Sequence, residues 1–287
     1  GGLHGVGASV VNALSERLDV WVDRDGKTHQ MSFHRGEPGT FTDSGAPSPK
    51  APFTPFVENS ELAIVGKSPK GATGTRVRWW PDPEIFVKSS SIDKDGLAAR
   101  ARQTAFLVPG LKLAVTDARG GQQVRDEFAF DGGISEFTEF LAPDAPLTST
   151  WRLTGEGTFT ETVPVLDDQG HMVSTEVERT CAVDVALRWG TGYDTVQKSF
   201  VNIIATPKGG THVTGFEQAL MKVIRSEVDK NSRRLKVGTD KIEKDDILTG
   251  LTTVVTVRVA EPQFEGQTKE ILGTPAVRNV VAQVVQK

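Results

Sequence analysis

Apolar positions change their period along the chain, and the changes mark out its elements. Val10, Val11, Leu14 and Leu18 recur at three- and four-residue steps with Ala8 and Ala13 between them, predicting a helix from about Ala8. Leu18, Val20 and Val22 then alternate, Asp25-Gly26 supplies a tight turn, and Met31 with Phe33 returns, so helix passes directly into hairpin. Five prolines between 36 and 60 (Pro38, Pro47, Pro49, Pro52, Pro55) argue against ladder pairing over most of that stretch and predict a mobile surface excursion. Residues 75–80 (TRVRWW) read as a strand. Leu97, Ala98, Ala101, Ala105 and Phe106 give 92–107 a helical core face. A hairpin around Gly120-Gly121 and a helix over Ile134–Leu141 close this part, and 142–150 (APDAPLTST) reads as a linker.

Beyond it, two successive hairpins are predicted, turning at 167–170 and 190–192, to form an antiparallel sheet. Val213, Phe216, Leu220, Val223 and Ile224 predict the longest helix, Leu251–Val259 a buried strand and 276–285 a terminal helix. No internal repeat is visible. Helices interspersed with hairpins, without strict βαβ alternation, indicate two α+β layered domains.

The chain has 287 residues, enough for two such domains, and no apolar window approaches the roughly 18 residues a membrane helix needs. One cysteine, Cys181, with no Cys/His cluster of zinc-site spacing, points to a reducing compartment and so to the cytoplasm. Cys181 itself reads as a small packed hydrophobe. The net charge of −4 excludes a nucleic-acid-coating polycation, so any DNA contact is local. The best local candidate is 222–241. There Lys222, Arg225, Lys230, Arg233, Arg234, Lys236 and Lys241 face only Glu227, Asp229 and Asp240. It is either a phosphate-contacting face or an exposed charged helix.

The opening GGLHGVG precedes a helix, where free backbone N–H groups and the macrodipole favour phosphate and glycines let the main chain approach. It is no Walker A loop, for no Lys-Ser/Thr follows, and Val10 stands where a Rossmann fingerprint needs its third glycine. Pattern physics alone is a weak signal for phosphate and favours a turn that serves close packing.

The string GGLHGVGASVVNALS does, however, resemble the ATP lid of the B subunits of bacterial type IIA topoisomerases, gyrase B and the topoisomerase IV ParE subunit. Gly74-Thr75 before RVRWWPDPEIF, GGTHVTGF at 209–216 and EPQFEGQTKEIL at 261–272 resemble three further motifs of that family, in family order. The resemblance implies the C-terminal part of a GHKL (Bergerat-type) ATPase domain over 1–147. It implies a ribosomal protein S5 domain 2-like transducer over 148–287. Gly2, Leu3, His4, Gly5, Val6, Gly7 and Ala8 would wrap the triphosphate of ATP, Thr75 would lie under the adenine side, and Lys269 with Gln267 would reach the γ-phosphate. His4 and His212 would position rather than react, and Arg24 would border the adenine pocket or be a solvated strand arginine.

The family's general-base Glu, Mg²⁺-binding Asn and adenine-reading Asp precede the lid motif and are not in this chain, so no metal ligand is assigned here. The chain therefore reads as an internal piece of a longer protein, inactive alone. The family also implies DNA, a homodimer through the ATPase domains, and a DNA-cleaving A-type subunit in an A2B2 assembly. Lys222 and Arg225 would meet the transported duplex. A non-hydrolysing nucleotide-dependent clamp of the wider GHKL group is the alternative. The hairpin over 152–180, longer than the matching region of many relatives, receives no function.

Overall fold

The computed structural model describes residues 6–58, 62–87, 89–166, 168–238 and 241–287. The chain divides into two compact units, Gly1–Ile92 and Asp93–Lys287. The linker-like 142–150 lies inside the second, where Leu147 and Thr148 donate backbone hydrogen bonds to the Trp189 carbonyl.

In the first unit, helix α1 (Gly7–Ala13) runs straight into β1 (Ser15–Arg24), which turns at Asp25-Gly26 into β2 (Lys27–His34). Strands β3 (Glu37–Phe41), β4 (Phe53–Pro55), β5 (Ala63–Lys67) and β6 (Gly74–Pro81) complete a sheet ordered β4-β3-β2-β1-β6. β5 pairs with the first half of β2 and β3 with the second. Paired strands replace part of the mobile excursion expected over 36–60. Proline lacks a donor but keeps its acceptor: Pro38 O receives the Phe56 amide at 3.1 Å, and Pro55 sits on the edge strand β4. The loop between β3 and β4 is anchored as well, because Arg17 donates to both Asp43 carboxylate oxygens (2.7 and 2.8 Å) and to Ser48 O (2.8 Å).

That arginine belongs to a buried ionic cluster on β1. Its side chain is 2% exposed and Asp19 is 0% exposed. Asp19 accepts from Arg17 Nε, Ser32 Oγ and Arg78 Nη2. The Arg17 guanidinium lies 4.1 Å from the Phe41 ring centroid and 5.4 Å from that of Trp80.

The second unit opens with α2 (Lys94–Leu107), capped by the Asp93 carboxylate on the Asp95 amide, then the hairpin β7 (Leu113–Asp117) and β8 (Val124–Phe128), then α3 (Ile134–Leu141). The main sheet contains β9 (Trp151–Leu166), β10 (Met172–Trp189), β11 (Val196–Val201), β12 (Ile204–Ala205) and β13 (Leu251–Val259). Helices α4 (Thr211–Lys230), α5 (Ser232–Leu235), α6 (Lys244–Leu248) and α7 (Pro275–Val285) complete the unit.

The order is β12-β11-β13-β10-β9. The first expected hairpin, β9–β10, is present, but the second is not, since β13 lies between β10 and β11 and pairs parallel to β11. β13 is buried along nearly its whole length (LTTVVTVRV), which suits a central strand, not an edge. Alternation along β10 sends Val183, Val185 and Leu187 to the α4/α7 side, and Ala186 to the α3 side with Phe106, Phe137 and Phe200.

Helix α7 lies close on β9 through two glycine notches. A Cβ on Gly155 would come within 2.8 Å of Val284 Cγ2, and one on Gly157 within 2.8 Å of Val280 Cγ1. On its other side α7 meets α4 backbone to backbone, where a Cβ on Gly215 would stand 2.3 Å from Arg278 O.

Candidate functional site: the lid start and the loop carrying Lys269

Gly2, Leu3, His4 and Gly5 lie outside the described residues. Val6 caps α1 in helical conformation (φ −95°), and Gly7 and Ala8 begin the helix. Val6, Gly7 and Ala8 are all exposed, with open space where a Gly7 Cβ would stand. Thr75 is on β6 opposite Val22 of β1 and is exposed. Arg24, at the hairpin end, is 76% exposed and 3.6 Å from Asp25.

In the second unit the two remaining motifs interlock. Leu272, fully buried, donates its amide to Gly209 O (3.1 Å) and accepts the Thr211 amide (2.9 Å). Gly210, at φ +135°, has room for no side chain: a Cβ would lie 2.4 Å from Leu272 N and 2.5 Å from its oxygen. Thr211 Oγ1 donates to Thr274 O, and Thr274 Oγ1 accepts the Gln263 amide, so the start of α4 and both limbs of the 261–274 loop form one knot. The loop is itself a ribbon, closed by Glu265 N to Ile271 O (2.9 Å) and Gly273 N to Gln263 O (2.8 Å).

His212, the second residue of α4, is fully buried with Nε2 3.1 Å from Thr206 Oγ1, which in turn is 2.7 Å from Ser199 Oγ. Burial pushes its pKa down to about 4, which favours the neutral imidazole in this packed position. Cys181, also fully buried, has its thiol pushed up to about 11 by the same cause, consistent with an inert hydrophobe.

At the tip, Gly266 (φ +83°) turns the chain and Lys269 takes a left-handed conformation (φ +57°). Gln267 is exposed and Lys269 half-buried. The neighbouring carboxylate is already engaged: Glu270 accepts from Lys208 Nζ at 2.7 Å and from Thr268 Oγ1, and these bonds lower its pKa. The Lys269 amide donates to Gly266 O (3.4 Å), but its ammonium has no hydrogen-bond or ion-pair partner among the described residues, which leaves an uncommitted cation on a loop seated by the GGTH segment.

Lys222 and Arg225 are exposed on one face of α4, three residues apart. Lys222 Nζ donates to Gln286 Oε1 (2.9 Å), and Arg225 Nε donates to Ile242 O (2.9 Å), with Glu243 at 3.9 Å. Among the described residues no three His, Cys, Asp or Glu side chains converge to hold a metal ion.

Sequence reasoning missed what holds the loop's first limb. Arg179 on β10 donates to Glu261, and Gln263 donates to Glu161 on β9. The two pairs span 82 and 102 residues, and no local pattern signals partners so distant.

The mixed α/β architecture is that of GHKL-type ATPase domains of the gyrase B group. It superposes on the 43K ATPase domain of Thermus thermophilus gyrase B, solved with an aminocoumarin, with a TM-score of 0.69 at 32% identity, covering 99% of this chain and 65% of that one. It also superposes on the topoisomerase IV ATP-binding domain of Francisella tularensis, solved with a small-molecule inhibitor, with a TM-score of 0.67 at 26% identity, covering 100% of this chain and 66% of that one. The DNA gyrase B protein of Streptococcus pyogenes serotype M18 is 38% identical over 277 residues, 96% of this chain and 36% of that protein. That of Borreliella burgdorferi is 36% identical over 285 residues, 99% and 38%. A family profile described as DNA gyrase B matches residues 133–287, and the chain belongs to that family. It spans little more than a third of the length of these curated relatives.

Proposed function

We propose that this chain is the ATP-lid and transducer part of the B subunit of a type IIA DNA topoisomerase. The complete protein binds and hydrolyses ATP, coupling it to closure of a dimer gate and passage of one DNA duplex through another. Residues 1–147 are assigned to the GHKL ATPase domain and 148–287 to the transducer. The observation that supports this best is the uncommitted Lys269 ammonium on a loop seated by GGTH. A compact cation on a long stem suits the charge of a terminal phosphate, and only a triphosphate engages it fully.

Val6, Gly7 and Ala8, exposed at the start of α1 with no side chain crowding Gly7, fit a backbone cradle for ATP together with Gly2, Leu3, His4 and Gly5. Thr75 would lie under the adenine side and Gln267 beside Lys269. Mg²⁺, which would neutralise phosphate charge, is assigned to ligands in other parts of the full protein. The partners proposed are a second copy of that protein, a DNA-cleaving A-type subunit and DNA, in the cytoplasm.

The test is Lys269→Ala in the complete protein assembled with its A-type partner. The rate of ATP hydrolysis should fall about a hundredfold, on the order of 3 kcal/mol, with a smaller change in nucleotide affinity. Equal rates for variant and parent would sink the assignment, and so would phosphate release by this chain alone, which the proposal gives neither base nor metal ligand.

The proposed DNA face is tested by neutralising Lys222 and Arg225 together. DNA-stimulated hydrolysis should weaken, with the log–log salt slope reduced by about one per lost phosphate contact, and DNA-independent hydrolysis should hold. Normal stimulation across a salt series would return both residues to an ordinary charged helix face.

A further inference from the structure

The loop bearing Lys269 has two limbs, and the GGTH segment seats only the second. The first limb leaves β13 at Val259, takes a left-handed turn at Glu261 (φ +50°) and reaches Gln263. What it meets there is the long hairpin. β13 pairs with β10 only over Cys181–Val259 to Trp189–Leu251, so residues 172–180 of β10 have β9 alone as a partner. Arg179 stands just past the end of β13, and Glu161 lies diagonally across from it on β9, on the same face.

The Arg179 side chain is 15% exposed and donates through Nη2 to Glu261. Its Nε lies 3.5 Å from Glu161 Oε2, near enough for attraction but without hydrogen-bond geometry. Glu161 in turn accepts from Gln263 Nε2. Glu261, Arg179, Glu161 and Gln263 thus form a chain of contacts, closed through the backbone of 261–263, that joins the hairpin to the limb at two residues, Glu261 and Gln263. Gln263 is also the residue whose carbonyl closes the loop ribbon on Gly273.

We propose that Arg179 is a positioning residue. Through Glu261, Glu161 and Gln263 the otherwise unassigned β9–β10 hairpin braces the first limb of the loop and fixes where the Lys269 ammonium is presented. The proposal rests on the reading of Lys269 given above. A fork-shaped guanidinium can hold a carboxylate on one side while facing a second on the other, which an ammonium does with less geometric control. Release of the brace leaves the loop tied to the rest of the unit through its second limb, at Glu270, Leu272 and Thr274, and the lysine then samples positions away from its target. Misplacement of this kind costs turnover more than binding, since the contact matters most where charge develops.

The test uses the complete protein with its A-type partner and DNA. Arg179→Ala should lower kcat for ATP hydrolysis about tenfold with KM changed by less than about twofold, and Arg179→Lys should recover part of the loss. Amide hydrogen exchange at Glu265 and Gly273 should quicken in Arg179→Ala, and to a lesser degree in Glu261→Gln, a variant less disruptive to the hairpin. Lys269→Ala is measured alongside. If it lowers kcat while Arg179→Ala leaves kcat at the parental value, the brace is overturned and the role of Lys269 stands. If Lys269→Ala changes nothing, the reading of Lys269 fails, and exchange alone decides: faster exchange in Arg179→Ala supports a brace on the loop, and parental exchange overturns it. A lower Tm with parental kcat per folded molecule marks Arg179 as merely structural and overturns the proposal.

Discussion

The two units solve the same problem, holding a sheet together, with opposite chemistry. In the second, apolar side chains fill both sides of the β12-β11-β13-β10-β9 sheet: Val185, Val255, Phe216 and Leu251 toward α4 and α7, and Phe106, Phe200 and Val254 toward α2 and α3. In the first, Leu18 is the one buried aliphatic side chain among the described residues, and the buried polar ones are Ser15, Glu16, Arg17, Asp19, Ser32 and Asp82. Losing an apolar contact leaves a cavity whose cost scales with its volume, and the surroundings relax part of the way into it. In a buried ion cluster, removing one partner strands the other charge in a poor solvent. The β1 ion cluster is therefore the place in the first unit where a single charge removal is expected to cost most.

The largest expected effect follows directly. Arg17→Ala should destabilise the first unit by about 3–5 kcal/mol, because Asp19 would keep only Arg78 and Ser32 and Asp43 would lose its main partner. Denaturant unfolding followed through Trp21, Trp79 and Trp80 would measure it, and a loss below about 1 kcal/mol would erase the contrast between the units.

Acid separates the units next. The Arg17 hydrogen bonds hold Asp43 at about 2 against an ordinary 3.8, so that contribution is complete above 3.8 and disappears as pH falls toward 2. His212 acts earlier. Its folded value of about 4 lies below the ordinary 6.5, so between these values the unfolded chain binds the extra proton, and stability of the second unit falls as pH drops from 6.5 to 4, by about 3 kcal/mol in all. Thermal unfolding across this range should show the slope, and His212→Gln should flatten it. An unchanged slope in the variant would assign the pH dependence to other groups.

The smallest effect probes apolar packing where no side chain can yield. Gly155→Ala should cost about 1–3 kcal/mol by pressing a methyl against the stiff Val284, with Arg152→Ala on the same strand, an exposed pair to Asp184, costing less. If both cost the same, the notch is not tight.

Much of this fold was legible because alternation and helical spacing are local. Ile134–Leu141 and Leu251–Val259 were read with their observed bounds, and the β9–β10 hairpin with its turn. Periodicity says which residues form a strand and which face is buried, but not which strand lies alongside. The position of β13 between β10 and β11 was therefore invisible, and a hairpin was expected where a parallel neighbour intervenes. Proline content misled over 36–60 because the anchor of that loop, Arg17 on Asp43, joins residues 26 apart. At the candidate site, motif order indicated GGTH and the Lys269 loop separately. Their interlock at Leu272 and the chain of contacts around Arg179 arise from tertiary approach, which one-dimensional spacing does not encode.

The glycine contacts of α7 bear on how rigidly the second unit is held together. Ordinarily a helix rides on a cushion of side chains that absorb small displacements by changing rotamer. At Gly215 the cushion is missing, so α7 and α4 touch nearly main chain to main chain, while at Gly155 and Gly157 bare β9 backbone meets the short, stiff Val284 and Val280 side chains of α7. With no side chain to yield at the Gly215 crossing, α7 and α4 have little freedom to slide past each other and are expected to shift together.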